Sequence, residues 1–221
     1  MRKLLPRAAL ALSLLTVGIG LLHLPVARPL LAWIGVGCPA KASPEEVEAA
    51  RREAASAARG PTWAKARPAL GFRLDQTTKA EVLEWAKAAG LSCAEAERGT
   101  VLRCMGVSAA ALGDPRAPAG PVDDLSFAFS ARELRLVTVT TLRTKLSADQ
   151  AAAALTGISG ALGAHLGEPG RRTGLATPGY LAGGALRTAM VEYRYQDYLA
   201  TVSATNLGDG VAVREHYMSA L

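Results

Sequence analysis

The sequence lacks the short motifs that mark several common enzyme classes. It contains no phosphate-binding GxxxxGK[ST] string, no zinc-binding HExxH and no GxSxG nucleophile elbow. Aromatic residues make up only 5% of the chain, so aliphatic and alanine side chains must form most of the core. We therefore expect no cofactor, and the sequence offers no recognised catalytic motif.

Acidic residues are missing from the first 42 positions, and this explains the basic character of the chain. The formal net charge is +6, from 25 basic and 19 acidic residues. Five of the basic residues lie in this segment, so the remainder carries 20 basic and 19 acidic residues, a net charge of +1. Nucleic-acid binding needs a concentrated basic face that displaces counterions from phosphates. We expect no nucleic-acid partner.

The N-terminal segment resembles a membrane-targeting helix. A basic start at residues 1–7 precedes an apolar run at residues 8–24, in which Ser13, Thr16 and His23 are the only polar side chains. Its 17 residues are near the lower limit for crossing ~30 Å of hydrocarbon. The basic flank should stay cytoplasmic while the following chain is translocated. We therefore predict that residues 1–42 are a signal peptide or a signal anchor that brings the chain to the membrane.

Three fates of this leader remain open. Cleavage as a signal peptide is indicated by the small-x-small site at residues 40–42. Retention as an anchor is favoured by a second apolar stretch at residues 29–36, where Trp33 could lie at the membrane interface. Lipidation of Cys38 is the third fate, since Gly37 precedes it, although the position three before Cys38 is Gly35 rather than a large aliphatic residue.

The three cysteines agree with export. In an oxidising compartment Cys93 and Cys104 would pair, leaving Cys38 in the leader. The alternative is a pair of free buried thiols. Neither cysteine has a neighbouring histidine or a second pair of ligands, so neither a nucleophile nor a zinc site is indicated.

Three helix starts divide the exported part. Ser43-Pro44-Glu45-Glu46 begins an alanine-rich helix, which we predict within residues 43–61 as a peripheral helix or a stalk. Similar capping boxes begin at Thr78 and Ser147. Each of these two helices precedes segments predicted as strands, namely residues 100–107, 124–130 and 133–142, then residues 186–196, 198–205 and 211–217.

This order predicts an α+β fold with antiparallel strands over residues 62–221. The repeated pattern of one helix followed by strands predicts two similar halves, a degenerate tandem repeat at about residues 70–145 and 146–221. Gly/Pro-rich stretches at residues 113–121 and 167–184 are long for a compact domain.

Two segments resemble a known family. Residues 70–83, LGFRLDQTTKAEVL, and Leu166-Gly167-Glu168-Pro169 are similar to small bacterial envelope modules of the SmpA/OmlA (BamE) and β-lactamase-inhibitor-like type. In the first half Ala89-Gly90-Leu91-Ser92 has no proline and departs from that pattern. The resemblance implies a helix followed by a three- or four-stranded antiparallel sheet, and a binding or assembly role in the envelope. It carries over no functional residues.

The most distinctive short string lies near the C-terminus. Tyr193, Arg194, Tyr195 and Tyr198 fall within six residues. Tyrosines supply contact area at low entropic cost and could form a recognition surface. The alternative is that they complete an aliphatic core, since aromatic residues are enriched in strands.

We therefore expect a bacterial cell-envelope protein, an exported non-enzymatic binding or assembly module whose partner is an envelope protein or another envelope component. Two alternatives remain. One is an exported enzyme with an unfamiliar site that uses Asp123, His216 or Tyr195, and the other is a purely structural envelope spacer.

Overall fold

The computed structural model describes residues 42–112 and 121–221 of the chain. The predictions for the leader, including lipidation of Cys38, and most of the first Gly/Pro-rich stretch lie outside these residues. Within the described residues, no helix combines the length and the apolar character needed to cross a bilayer.

The described residues form four α-helices, α1 Pro44–Ala58, α2 Lys79–Ala88, α3 Ala148–Leu166 and the short α4 Pro178–Ala182. Thr78 and Ser147 each accept a hydrogen bond from the backbone N–H of the third helical residue, whose side-chain oxygen accepts one from the N–H of the cap residue. These reciprocal bonds confirm the capping boxes predicted at Thr78 and Ser147. The three long helices confirm the helices predicted from the sequence.

In the part of the chain that the structure describes, eight antiparallel strands form one sheet, with the bounds β1 Cys93–Ala96, β2 Val101–Val107, β3 Val122–Phe129, β4 Leu136–Leu146, β5 Arg171–Thr173, β6 Thr188–Arg194, β7 Tyr198–Asn206 and β8 Val211–Ser219. Their spatial order is β1-β2-β3-β4-β8-β7-β6-β5. Each group of four consecutive strands is therefore a meander, and the two meanders join where β4 pairs with β8. The predicted α+β class with antiparallel strands is confirmed.

Three short elements, β1, β5 and α4, were not predicted from the sequence. β1 has four residues and β5 has three, which is too short to display a clear alternation of apolar and polar side chains. β5 and α4 also lie within the stretch at residues 167–184, where glycine and proline favoured a loop. β4 begins later than expected and continues to Leu146, because its pairing with β8 extends it past residue 142.

One face of the sheet is buried beneath α2, α3 and α4. Strand registers align a continuous row of buried side chains across it: Leu102, Phe127, Val139, Tyr217, Ala200 and Tyr193. Leu155, Ile158 and Leu162 of α3 pack on this face, as does Val82 of α2. Trp85 and Phe72 contact the Phe127 ring edge-to-face, at centroid distances of 5.8 and 4.9 Å. We call this surface the helix face.

Helix α1 packs at one end of the opposite face. Ala55 is buried against Leu199 and Ala220. The Arg51 guanidinium donates to the carbonyl oxygen of Ser219 at 3.0 Å, and Glu48 accepts a hydrogen bond from the backbone of Ala131 at 2.7 Å. The stalk alternative does not fit these contacts, because α1 belongs to the same compact unit as the sheet, residues Pro44–Leu221.

The disulfide links the edge strand to its neighbour. Cys93 on β1 lies opposite Cys104 on β2, with their Cα atoms 4.2 Å apart and their sulfur atoms bonded. This confirms that the predicted pair is placed to form a disulfide. Cys104 is fully buried on the helix face, so the bond fastens a four-residue strand to the core.

Candidate functional site

The face opposite α2 and α3 is the main candidate for a binding surface. Two rows of side chains cross it, none of them fully buried. The first row comprises Arg103, Ser126, Thr140, His216, Thr201, Glu192 and Arg171. The second comprises Met105, Asp124, Leu142, Arg214, Ser203, Met190 and Thr173. We call these two rows, together with Arg194 at the end of β6, the open face.

Short hydroxyl side chains occupy the middle of the open face. Thr140 on β4 and Thr201 on β7 flank His216, and Ser203 flanks Arg214. Strand alternation explains their placement, because the residues between them point to the helix face and are aliphatic. The sequence carries this signal in Thr138 and Thr140 of β4, and in Thr201, Ser203 and Thr205 of β7. No binding site was predicted at these hydroxyl residues from the sequence.

Charged groups on the two flanks of the open face are paired with each other. Arg103 bonds the carboxylate of Asp124. On the other flank the Glu192 carboxylate accepts a hydrogen bond from the Arg194 guanidinium at 3.0 Å. It lies 3.6 Å from the Arg171 guanidinium. The charges of Arg103 and Asp124 therefore balance each other, whereas the flank at Glu192 keeps one positive charge in excess.

His216 lies in the centre of the open face as a neutral imidazole at pH 7. Burial lowers its pKa to about 4, and the adjacent charge of Arg214 lowers it further in the same direction. Its Nδ1 is 2.9 Å from Thr140 Oγ1. A neutral ring at this place can exchange hydrogen bonds with a ligand without adding a positive charge.

A cleft of about 570 Å³ lies between α1 and the β3–β4 turn. Charged groups of both signs line it: Glu45, Glu48, Arg51, Arg52, Asp75, Arg132, Glu133 and Arg135. Several are engaged already. Arg52 pairs with Glu48, and Arg135 donates to the carbonyl oxygen of Gln76. The Asp75 carboxylate accepts hydrogen bonds from Arg67 and Ser219. The cleft therefore has no single charge preference from which a ligand class could be inferred.

A polar cluster is buried on the helix face where β4 meets β8. Glu215 accepts hydrogen bonds from Thr141 at 2.9 Å, from Arg143 at 2.6 Å and from Tyr217 at 2.5 Å. The Arg143 and Glu215 side chains are 3% and 1% exposed. Because this pair is sealed from solvent, it supports the junction of the two meanders rather than a surface site.

The tyrosines do not form the recognition surface that we considered. Tyr193 and Tyr198 are buried on the helix face, where their hydroxyls donate to the carbonyl oxygens of Ser159 and Pro68. Tyr195 is half-buried and donates to Leu166 at 2.6 Å. Their rings fill the space between the sheet and α3, as the alternative core interpretation predicted. Arg194 alone of the four lies on the open face.

The groups considered for an unfamiliar active site are not brought together. His216 points to the open face, whereas the Tyr195 hydroxyl is bonded to the end of α3 on the other side. Asp123 accepts hydrogen bonds from the backbone and the hydroxyl of Thr144. In residues 42–112 and 121–221, no three His, Cys, Asp or Glu side chains are grouped closely enough to hold a metal ion.

Comparison with known proteins gives no indication of function, so the function has to be inferred from the open face. No protein family, curated protein or solved structure matches this chain.

Proposed function

We propose that this protein is an exported, non-enzymatic module of the bacterial cell envelope that binds a protein partner on its open face. The observation that carries the proposal is the contrast between the two sides of one sheet. The helix face is buried under α2, α3 and α4, whereas the open face presents two rows of mainly polar side chains, with Met105, Leu142 and Met190 among them. α1 is the one described helix that packs on it, at one end.

The width of the open face favours a macromolecular partner. Its first row crosses seven strands, which at a spacing of ~4.8 Å extends over roughly 30 Å. A surface of that width is typical of a protein–protein patch, whereas small molecules generally bind in concave cavities.

The disulfide supports the exported location. Disulfides persist in oxidising compartments and are rare in the reducing cytosol. Together with the basic, acid-free leader it favours the periplasmic side, with the membrane reached through residues 1–42. Intact mass of the protein from membrane fractions distinguishes cleavage after Ala42, lipidated Cys38 and a retained anchor. A cytosolic protein of full unmodified mass with reduced cysteines would contradict this part of the proposal.

The proposal includes an origin of the domain from two similar halves. In support, each half has a capped helix followed by a four-stranded meander, and the fourth strand of each half pairs with the other. A partner bound across the β4–β8 junction would therefore contact both halves.

The test introduces a bulky, uncharged side chain on each side of the sheet. Thr201→Trp places it in the middle of the open face, and Thr156→Trp places it on the exposed side of α3 as a matched control. A photo-crosslinking residue at Ser203 should capture a specific envelope protein. Thr201→Trp should abolish capture, whereas Thr156→Trp should leave it unchanged. Equal capture by both variants would refute the assignment of this face.

A further inference from the structure

Arg214 occupies the centre of the open face. It lies on β8 at the junction of the two meanders, between Leu142 of β4 and Ser203 of β7. Its side chain is exposed although it lies in the interior of an eight-stranded sheet. The neighbouring Ser203 and Thr201 are much shorter, so the guanidinium can be approached from above.

Arg214 differs from the other arginines of the open face. Arg103 is paired with Asp124, and Arg171 and Arg194 share Glu192. Within the part of the chain that the structure describes, no carboxylate lies within ion-pair distance of Arg214. The open face thus holds four arginines and two carboxylates, a net charge of +2, and Arg214 at its centre is the arginine that pairs with neither carboxylate.

The surroundings of Arg214 suit a single carboxylate. A guanidinium offers a planar pair of donors that matches a carboxylate, and bidentate pairs are among the strongest hydrogen bonds in proteins. The hydroxyls of Ser203 and Thr201 can donate further hydrogen bonds beside it. The net charge of +2 on the open face is small for a polyanion, because nucleic-acid binding neutralises several phosphates at once.

We infer that the open face recognises an acidic segment of a protein, one Asp or Glu of which pairs with Arg214. This inference rests on the proposed function, since it specifies the partner of the same face. Because water is excluded at the centre of such an interface, the ion pair there is stronger than one at the rim. Arg214 would make the acidic residue of the partner preferred, and the hydroxyl side chains of the open face would provide the surrounding contacts.

The experiment uses a displayed library of random linear peptides, selected on the immobilised full-length protein. The wild type should enrich sequences that contain Asp or Glu over the unselected library. Arg214→Glu should lower that enrichment by at least about tenfold, a change equivalent to ~1.4 kcal/mol. Arg214→Gln, which removes the charge at similar length, should also abolish the acidic preference. Arg172→Glu is the matched control, because Arg172 is an exposed strand arginine on the helix-face side.

Two outcomes would overturn the inference. One is a wild-type selection with no excess of acidic residues, and the other is an excess that persists in both Arg214→Glu and Arg214→Gln. Far-UV circular dichroism establishes that each variant is folded. If Thr201→Trp abolishes selection while the Arg214 variants keep the acidic excess, the open face still binds protein but Arg214 does not pair with a carboxylate of the peptide. If Thr201→Trp has no effect either, the proposed function fails as well.

Discussion

The buried pair of Arg143 and Glu215 should dominate the stability of the β4–β8 junction. The two side chains are 3% and 1% exposed, and Arg143 donates to Glu215 at 2.6 Å. Removing one partner of a buried pair leaves an uncompensated charge, which costs ~3–5 kcal/mol. We therefore expect Arg143→Met and Glu215→Gln each to lower the free energy of unfolding by about that amount. This is a large fraction of the ~5–15 kcal/mol of a typical domain.

The double variant separates the pair from its surroundings. In Arg143→Met/Glu215→Gln no charge remains buried, and the new amide oxygen can still accept from Thr141 or Tyr217. The loss should therefore be smaller than the sum of the two single losses by about 2 kcal/mol or more, as contacting residues couple strongly. Urea denaturation followed by circular dichroism measures all four proteins of the cycle.

The partly exposed pair of Lys79 and Glu95 provides the control. These groups lie 2.8 Å apart, and Glu95 is 54% exposed. Exposed pairs contribute ~0–1 kcal/mol, so the same cycle at this pair should show little coupling. Additive losses at Arg143 and Glu215, or single losses below ~1 kcal/mol, would refute the reasoning that the junction depends on a sealed ion pair.

Three further predictions concern other parts of the domain. Since the folded pKa of His216 is about 4, against 6.5 for the free group, the unfolded chain binds more protons between these values. The free energy of unfolding should therefore fall by ~3 kcal/mol as the pH is lowered from 6.5 to 4. His216→Asn should flatten this pH dependence in denaturation experiments, and the same pH dependence in the variant and the wild type would contradict the prediction. Cys93→Ser removes a disulfide between residues 11 positions apart and should lower the free energy of unfolding by up to ~3 kcal/mol. Reduction of the wild type should give a similar loss of stability in thermal unfolding, and no loss would show that β1 is held by other contacts. Tyr193→Phe removes the 2.8 Å hydrogen bond to Ser159 and should cost ~1 kcal/mol in urea denaturation, whereas Tyr193→Ala should cost ~3–5 kcal/mol; equal losses would contradict a core role for the ring.

Helices and the fold class could be read from the sequence because their signals are local. The capping boxes at Thr78 and Ser147 involve residues three apart, and the apolar face of α3 repeats within one helix. The pair of Cys93 and Cys104 followed from there being only three cysteines. Short elements such as β5 were missed, since three residues contain too little periodicity to distinguish a strand from a loop.

The composition of the candidate surface was decided by the tertiary structure. Alternation along a strand determines which residues share a side, but it does not say which side a helix will cover. Tyr193 and Tyr198 are buried because α3 and the segment containing Pro68 pack above them, and these contacts are 34 and 130 residues away in sequence.

Arg214 shows the same limit most clearly. By itself the sequence determined that this residue lies on a strand with alternating side chains. Only the pairing of β8 with β4 and β7 placed it at the centre of the sheet, between Leu142 and Ser203. Strand pairing joins residues across long loops and depends on the free energy of the whole core, so it is not encoded in any short window of the chain.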